Sequence, residues 1–148
     1  MLNPSKDCMI TRVMNAVAAG TDDTQDGTVL DMSGWDGVVF IALFGTLTAT
    51  AVTDIRAREG DESDLSDAAD LVGTKVSLTA TTHDNLAGIL DVYRPLKRYI
   101  RVRVTRATAN AVIDGIIAIQ YRGKKAPVTQ GSTIAVTELH VSPIAGTA

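Results

Sequence analysis

The sequence predicts an all-β fold: an antiparallel sandwich, or a jelly roll, of about eight strands with at most one short helix. Three observations predict it. The apolar runs are of strand length and rich in β-branched residues. They are separated by Gly, Asp, Asn and Thr, the residues of turns. Two of them, 75–81 and 99–106, alternate apolar and polar with a period of two, which puts one face in a core and the other in water.

In chain order, Thr11 to Ala18 is the first predicted strand. The polar stretch Gly20 to Gly27 reads as a loop, because its side chains are costly to bury. Thr28 to Asp31 is a short strand and Ser33 to Gly37 a turn. Val38 to Phe44 is apolar on both faces and is predicted at the centre of the sandwich. After the small residues of 46–51, Val52 to Glu59 reads as a strand whose mixed pattern leaves its buried face open. Glu59 to Asp67 is acidic and Ser-rich, either a solvated loop or one helical turn through Ala68 and Ala69.

Lys75 to Thr81 and Leu86 to Tyr93 follow as strands, the second closed by Arg94 and Pro95. In Tyr99 to Arg106, Ile100, Val102 and Val104 point one way and Arg101, Arg103 and Thr105 the other. The short link 107–110 and the apolar run Val112 to Tyr121 predict a hairpin between these last two strands. Residues 1–148 thus read as one sandwich domain with extended N-terminal (1–10) and C-terminal (126–148) segments.

At 148 residues the chain can build a core without staples, and with aromatics at 4% that core is aliphatic. The net charge of −3 gives no global field for nucleic acid. The single cysteine, Cys8, cannot form an intrachain disulfide and reads as a small hydrophobe. The start lacks a basic stretch followed by an apolar one, so no secretory signal is expected. The longest apolar run, Val38 to Phe44, is about a third of the roughly 20 residues that span a bilayer, so no membrane is expected as a partner.

No residue is assigned to catalysis, to a cofactor or to a metal. His83 and His140 lack a nucleophile context and read as solvated. Asp22, Asp23 and Asp26 resemble part of a calcium loop, but the twelfth position counted from Asp22 is Ser33 where a bidentate Glu is required. A solvated acidic loop is the simpler reading, a non-EF cation site the other. Asp61, Glu62, Asp64, Asp67 and Asp70 lack the aromatics that a glycosidase cleft places beside its carboxylates.

The informative electrostatic feature is the basic C-terminal half: Arg94, Lys97, Arg98, Arg101, Arg103 and Arg106, then Arg122, Lys124 and Lys125. With only three tyrosines to interleave, this stripe suits an acidic protein surface better than a nucleic acid. Arg98, Arg101, Arg103 and Arg106 are therefore the interface candidates, together with Trp35, which stands between Gly34 and Asp36 at the entry to the core strand.

The stretch from Pro95 to Gln130 resembles small virion proteins of tailed bacteriophages. The resemblance lies in Arg98-Tyr-Ile-Arg-Val102, Val112-Ile-Asp-Gly115 and Lys124-Lys-Ala-Pro-Val-Thr-Gln130, with Trp35-Asp-Gly-Val-Val-Phe40 upstream. It covers rather more than a quarter of the chain. It implies a capsid decoration or cement protein, a homotrimer of β-sandwich subunits on the major capsid protein, made in the host cytoplasm and resident on the capsid surface of the virion. A head-to-tail connector or tail component is the nearest alternative. A small hydrolase or carbohydrate-binding module using His83 or the acidic loop is the alternative of another class.

Overall fold

The computed structural model describes residues 3–142, 144 and 145. Among these the chain forms one short helix, α1 (Pro4–Asp7), and the strands β1 (Met9–Met14), β2 (Val17–Gly20), β3 (Asp23–Asp26), β4 (Leu30–Asp31), β5 (Gly37–Leu47), β6 (Val52–Gly60), β7 (Ala69–Asp70), β8 (Val76–Thr79), β9 (Ala87–Tyr93), β10 (Tyr99–Ala107) and β11 (Ala111–Tyr121). No helix among them is long and apolar enough to cross a membrane.

Two antiparallel sheets pack face to face. The first has the order β1-β11-β5-β9, with β2 also on β11; the second has β3-β10-β6-β7, with β4 also on β10 and β8 also on β6. β1 and β2 share one edge position, as do β3 with β4 and β7 with β8, which leaves four positions per sheet. Successive positions cross between sheets everywhere except from β6 to β7 and β8, and this is the order of a jelly roll.

The predicted core strand is there and longer. Along β5, Val38, Phe40, Ala42 and Phe44 face the second sheet and are 0–2% exposed. They meet Ile55 and Ala57 of β6 and Ile100, Val102 and Val104 of β10, all fully buried. β6, undecided from sequence, turns Thr53, Ile55, Ala57 and Glu59 inward. Polar side chains close the core at both ends: Arg106 at one, Glu59 and Gln120 at the other. The outer faces differ sharply. That of the first sheet is aliphatic at its centre, carrying Val39, Ile41, Leu43, Ile89, Ile117 and Ile119 with Arg12 and Asp91 towards the edges, whereas that of the second is a lattice of arginine and aspartate.

Four expectations need correction. Residues 20–27 are not a loop: Asp23–Asp26 is a strand paired with β10, because arginines of β10 neutralise its carboxylates. β10 and β11 are not a hairpin; they lie in opposite sheets, each flanked by strands on both sides. Of the two readings of the acidic segment after β6 the loop holds and the helical turn does not, but the loop is not wholly solvated, since its Leu65 is buried, 3% exposed. The N-terminal segment is helical over Pro4–Asp7 and enters β1 at Met9 instead of running extended. From 122 to the last described residue there is no helix or strand. Parts of both predicted terminal segments (1, 2, 143 and 146–148) lie outside the described residues.

Candidate functional site

The five interface candidates fall in three places. Arg106 is on the inner face of β10, in phase with Ile100, Val102 and Val104, and is 3% exposed. Its Nη1 donates to the carbonyls of Ala18 (2.7 Å) and Ala111 (2.8 Å), and its Nε to Asp23 Oδ1 (2.7 Å). Gly20 makes room for it, since a Cβ there would stand 2.7 Å from Nη2. Arg106 is therefore an internal tie and not a surface contact.

Arg101 and Arg103 lie on the outer face of the second sheet, directly opposite Arg58 and Arg56 of β6. Like charges in direct cross-strand register repel, and three aspartates separate them. Asp26 pairs with Arg101 (2.8 Å) and Arg103, Asp70 with Arg58 (2.8 Å) and Arg56 (3.2 Å), and the buried Asp54 with Arg56 (2.7 Å) and Lys75 (3.3 Å). Hydrogen bonding from Arg103 holds the Asp26 carboxyl below its usual range against the opposing effect of burial. Arg58 Nε reaches Asp70 at an angle too poor for a hydrogen bond, and Arg101 Nε is buried without a partner. Three aspartates thus serve five cations, and each cation has a carboxylate within ion-pair distance.

Arg98 and Trp35 come together at the end of the sandwich where β5 begins and β9 and β11 finish. A concavity of about 400 Å³ is lined there by the turn 32–36, the connection 94–98 and Lys124. A second, about 410 Å³, lies between Trp35, Gly123, Lys124 and Lys125. Backbone bonds fix these segments: Met32 N donates to Arg98 O, Arg94 N to Asp36 O, and Lys124 N to Gly34 O, at 2.8, 2.7 and 2.9 Å. The indole of Trp35 rests on the Gly123 backbone, where a Cβ would meet it at 2.6 Å.

Around this end, Arg98 makes a forked pair with Asp31 (3.1 and 2.7 Å) and holds its carboxyl low. Lys97 pairs with Asp61 at 3.0 Å and Arg122 with Asp36 at 3.4 Å. Arg94, whose guanidinium stands 5.1 Å from the Tyr93 ring, has no acidic partner among the described residues, and neither do Lys124 and Lys125. Three uncompensated cations beside an accessible tryptophan can receive an acidic, partly apolar protein segment.

The remaining candidates are scattered. His83 Nδ1 accepts from Thr79 N (2.9 Å) in the β8–β9 turn, while His140 meets Glu138 (2.8 Å) in the exposed tail. Asp67 caps the acidic turn by accepting from the amides of Asp61 and Glu62. Asp22 accepts from Thr108 N, and Asp23 and Asp26 face arginines; among the described residues no group of three acidic, Cys or His side chains could hold a metal ion. Cys8 is buried, which with the neighbouring Asp7 raises its thiol pKa.

Sequence reasoning missed Gln130. Its Oε1 accepts from Ile10 N (2.8 Å), and its Nε2 donates to Ser5 O (3.2 Å) and Cys8 O (2.8 Å), fastening the tail beside β1. No local pattern announces a contact 120 residues distant in sequence.

No family model and no curated protein matches the chain. Among solved structures it is similar to the Eiger TNF of S. frugiperda, with 8% sequence identity over 86% of this chain and 100% of that one, at a TM-score of 0.35. At that score the likeness carries no weight, and the fold assignment rests on the strand pairing alone.

Proposed function

We propose that the chain is a capsid decoration protein of a tailed bacteriophage. In this reading it is a homotrimer on the virion surface that stabilises the shell through contacts with the major capsid protein and has no catalytic role. One observation carries the proposal. Trp35, Arg98 and Lys124, each the first residue of a segment that resembles virion proteins, are far apart in sequence yet line one concavity. The uncompensated Arg94, Lys124 and Lys125 supply electrostatic attraction for an acidic segment of the shell, and Trp35 supplies the apolar anchor. Repetition over a lattice lets individually modest contacts hold firmly.

Co-sedimentation with undecorated capsids tests it. Saturable binding is expected, weakened by salt and by Trp35→Ala combined with Lys124→Glu and Lys125→Glu. Absence of binding at every concentration overturns the proposal.

A further inference from the structure

The chain carries a strand without a sheet and a sheet edge without a strand. After Thr133, whose Oγ1 accepts from Arg12 N at 3.2 Å, the tail leaves the body of the protein. Among the described residues, no backbone group beyond Ile134 makes a hydrogen bond. Val136, Leu139, Val141 and Ile144 are 75, 55, 95 and 96% exposed. Yet 134–142 has strand chemistry: Leu139 and Val141 alternate with Glu138, His140 and Ser142, and the stretch lacks Gly and Pro.

The receiving edge is β9. It pairs with β5 over Ala87–Tyr93 in unbroken register, and its other side is open. The other edges are managed. That of β1 is covered by Gln130 and Thr133, that of β3 and β4 is interrupted and acidic, and β7 and β8 are two and four residues long. β9 has no lysine, proline or bulge to discourage pairing. Beside it, a groove of about 280 Å³ runs between the β8 and β9 edges, where Leu86 and Ile89 are 51 and 61% exposed.

We infer that the tail segment 134–142 of one copy adds to the β9 edge of a second copy, with Leu139 and Val141 entering the groove beside Leu86 and Ile89. The main chain supplies hydrogen bonds and the alternate side chains supply register. A chain's own tail is badly placed for this. It departs from the β1 edge, three strand spacings of about 4.8 Å from β9. To reach β9 it would have to cross Ile117 and Ile41 with its backbone groups unpaired over an apolar face. Such a head-to-tail contact is heterologous, giving a ring if its rotation closes and an open filament if it does not. Closure at three rests on the trimer proposed above; the tail-to-edge contact does not.

Native mass in solution decides. The full chain is expected to be a trimer, and a chain ending at Thr133, Ile89→Glu, and Leu139→Asp with Val141→Asp are each expected to be folded monomers by circular dichroism. Mixing the edge variant with the tail double variant should restore a one-to-one dimer and no larger species, since only one tail and one edge remain competent. The β9 amides that point away from β5 should be protected from hydrogen exchange in the full chain and unprotected in the truncated one, while those bonded to β5 stay protected in both. A monomeric full chain, or variants that keep its oligomeric state, overturns the inference. Capsid co-sedimentation is scored separately: loss of capsid binding with this mass pattern intact would count against the decoration reading alone.

Discussion

Arg106 and Asp23 stand opposite each other across the β10–β3 pairing and form a forked ion pair in which the guanidinium is almost wholly buried. Through its bonds to Ala18 and Ala111, the same side chain also holds β2 and the start of β11, so one residue joins both sheets. Arg106→Ala leaves two carbonyls and a carboxylate without their partner. Because Asp23 is a third exposed and can turn to water, the loss should fall near the lower end of the about 3–5 kcal/mol typical of a broken buried pair. Arg106→Lys should not recover it, since a single ammonium cannot reproduce the fork. Urea unfolding measures both, and a loss under about 1 kcal/mol for Arg106→Ala would place the pair with surface ion pairs.

Gly20→Ala tests the same junction from the other side. The new methyl would stand 2.7 Å from an Arg106 nitrogen that its bonds to Asp23, Ala18 and Ala111 prevent from moving aside. Overpacking of this kind costs about 1–3 kcal/mol. The loss should shrink in an Arg106→Ala background, as a double-mutant cycle would show; full additivity would contradict the argument.

Stability should be sensitive to acid. Asp23, Asp26 and Asp31 are each held below the ordinary carboxylate range, chiefly by hydrogen bonds from Arg106, Arg103 and Arg98 respectively. A carboxylate depressed in the folded state adds stability that is complete above its unfolded pKa of about 3.9 and is lost as pH falls through the lower folded value. Urea midpoints should therefore decline below about pH 4, and Arg103→Ala should flatten that limb while lowering the plateau. An unchanged slope in the variant would remove the arginines as its cause.

The sequence displayed the core more clearly than the surface, for a physical reason. Burial imposes a period, so Ile100, Val102 and Val104 announce an inward row whatever their partners. The same period carries Arg106 inward, a signal present in the sequence but overridden by its charge. Asp23 to Asp26 was illegible as a strand because its partners, Arg103 and Arg106, lie about 80 residues away and local composition favours a turn. Crossing of β10 and β11 between sheets was hidden for a related reason: a short link suits a hairpin or a crossing, and only the flanking strands decide. The end concavity joins Trp35, Arg98 and Lys124 through such crossings.

Gln130→Ala should loosen the tail while sparing the sandwich, leaving the bonds from Val128 N to Lys6 O and from Arg12 N to Thr133 Oγ1 as its remaining ties among the described residues. It removes one acceptor and two donations, leaving Ile10 N and the carbonyls of Ser5 and Cys8 unsatisfied in a partly buried setting. Each such group costs about 1–3 kcal/mol when fully buried, so a loss of about 2 kcal/mol is expected here. Hydrogen exchange gives the sharper readout. The Ile10 amide should lose protection while those of β5 keep theirs, and equal loss in both would mean that Gln130 supports the core instead of the tail.

Tyr121 offers a spectroscopic check on the end of the sandwich where the concavity lies. Its ring crosses Gly37, where a Cβ would stand 2.4 Å away, and its hydroxyl donates to Asp91 at 2.8 Å. Burial first, then that hydrogen bond and the Asp91 charge, push the phenol up to about 12. An acid whose folded pKa is raised favours folding while it stays protonated, so this contribution fades as pH rises from the ordinary value of about 10 towards 12. Ultraviolet titration of the folded chain should contain a tyrosinate component near 12 that Tyr121→Phe abolishes. Asp91→Asn should lower that midpoint without returning it to about 10, because the burial remains. If Tyr121→Phe instead removes a component titrating at about 10, the ring is solvated and the packing of β11 against β5 at this end is looser than described.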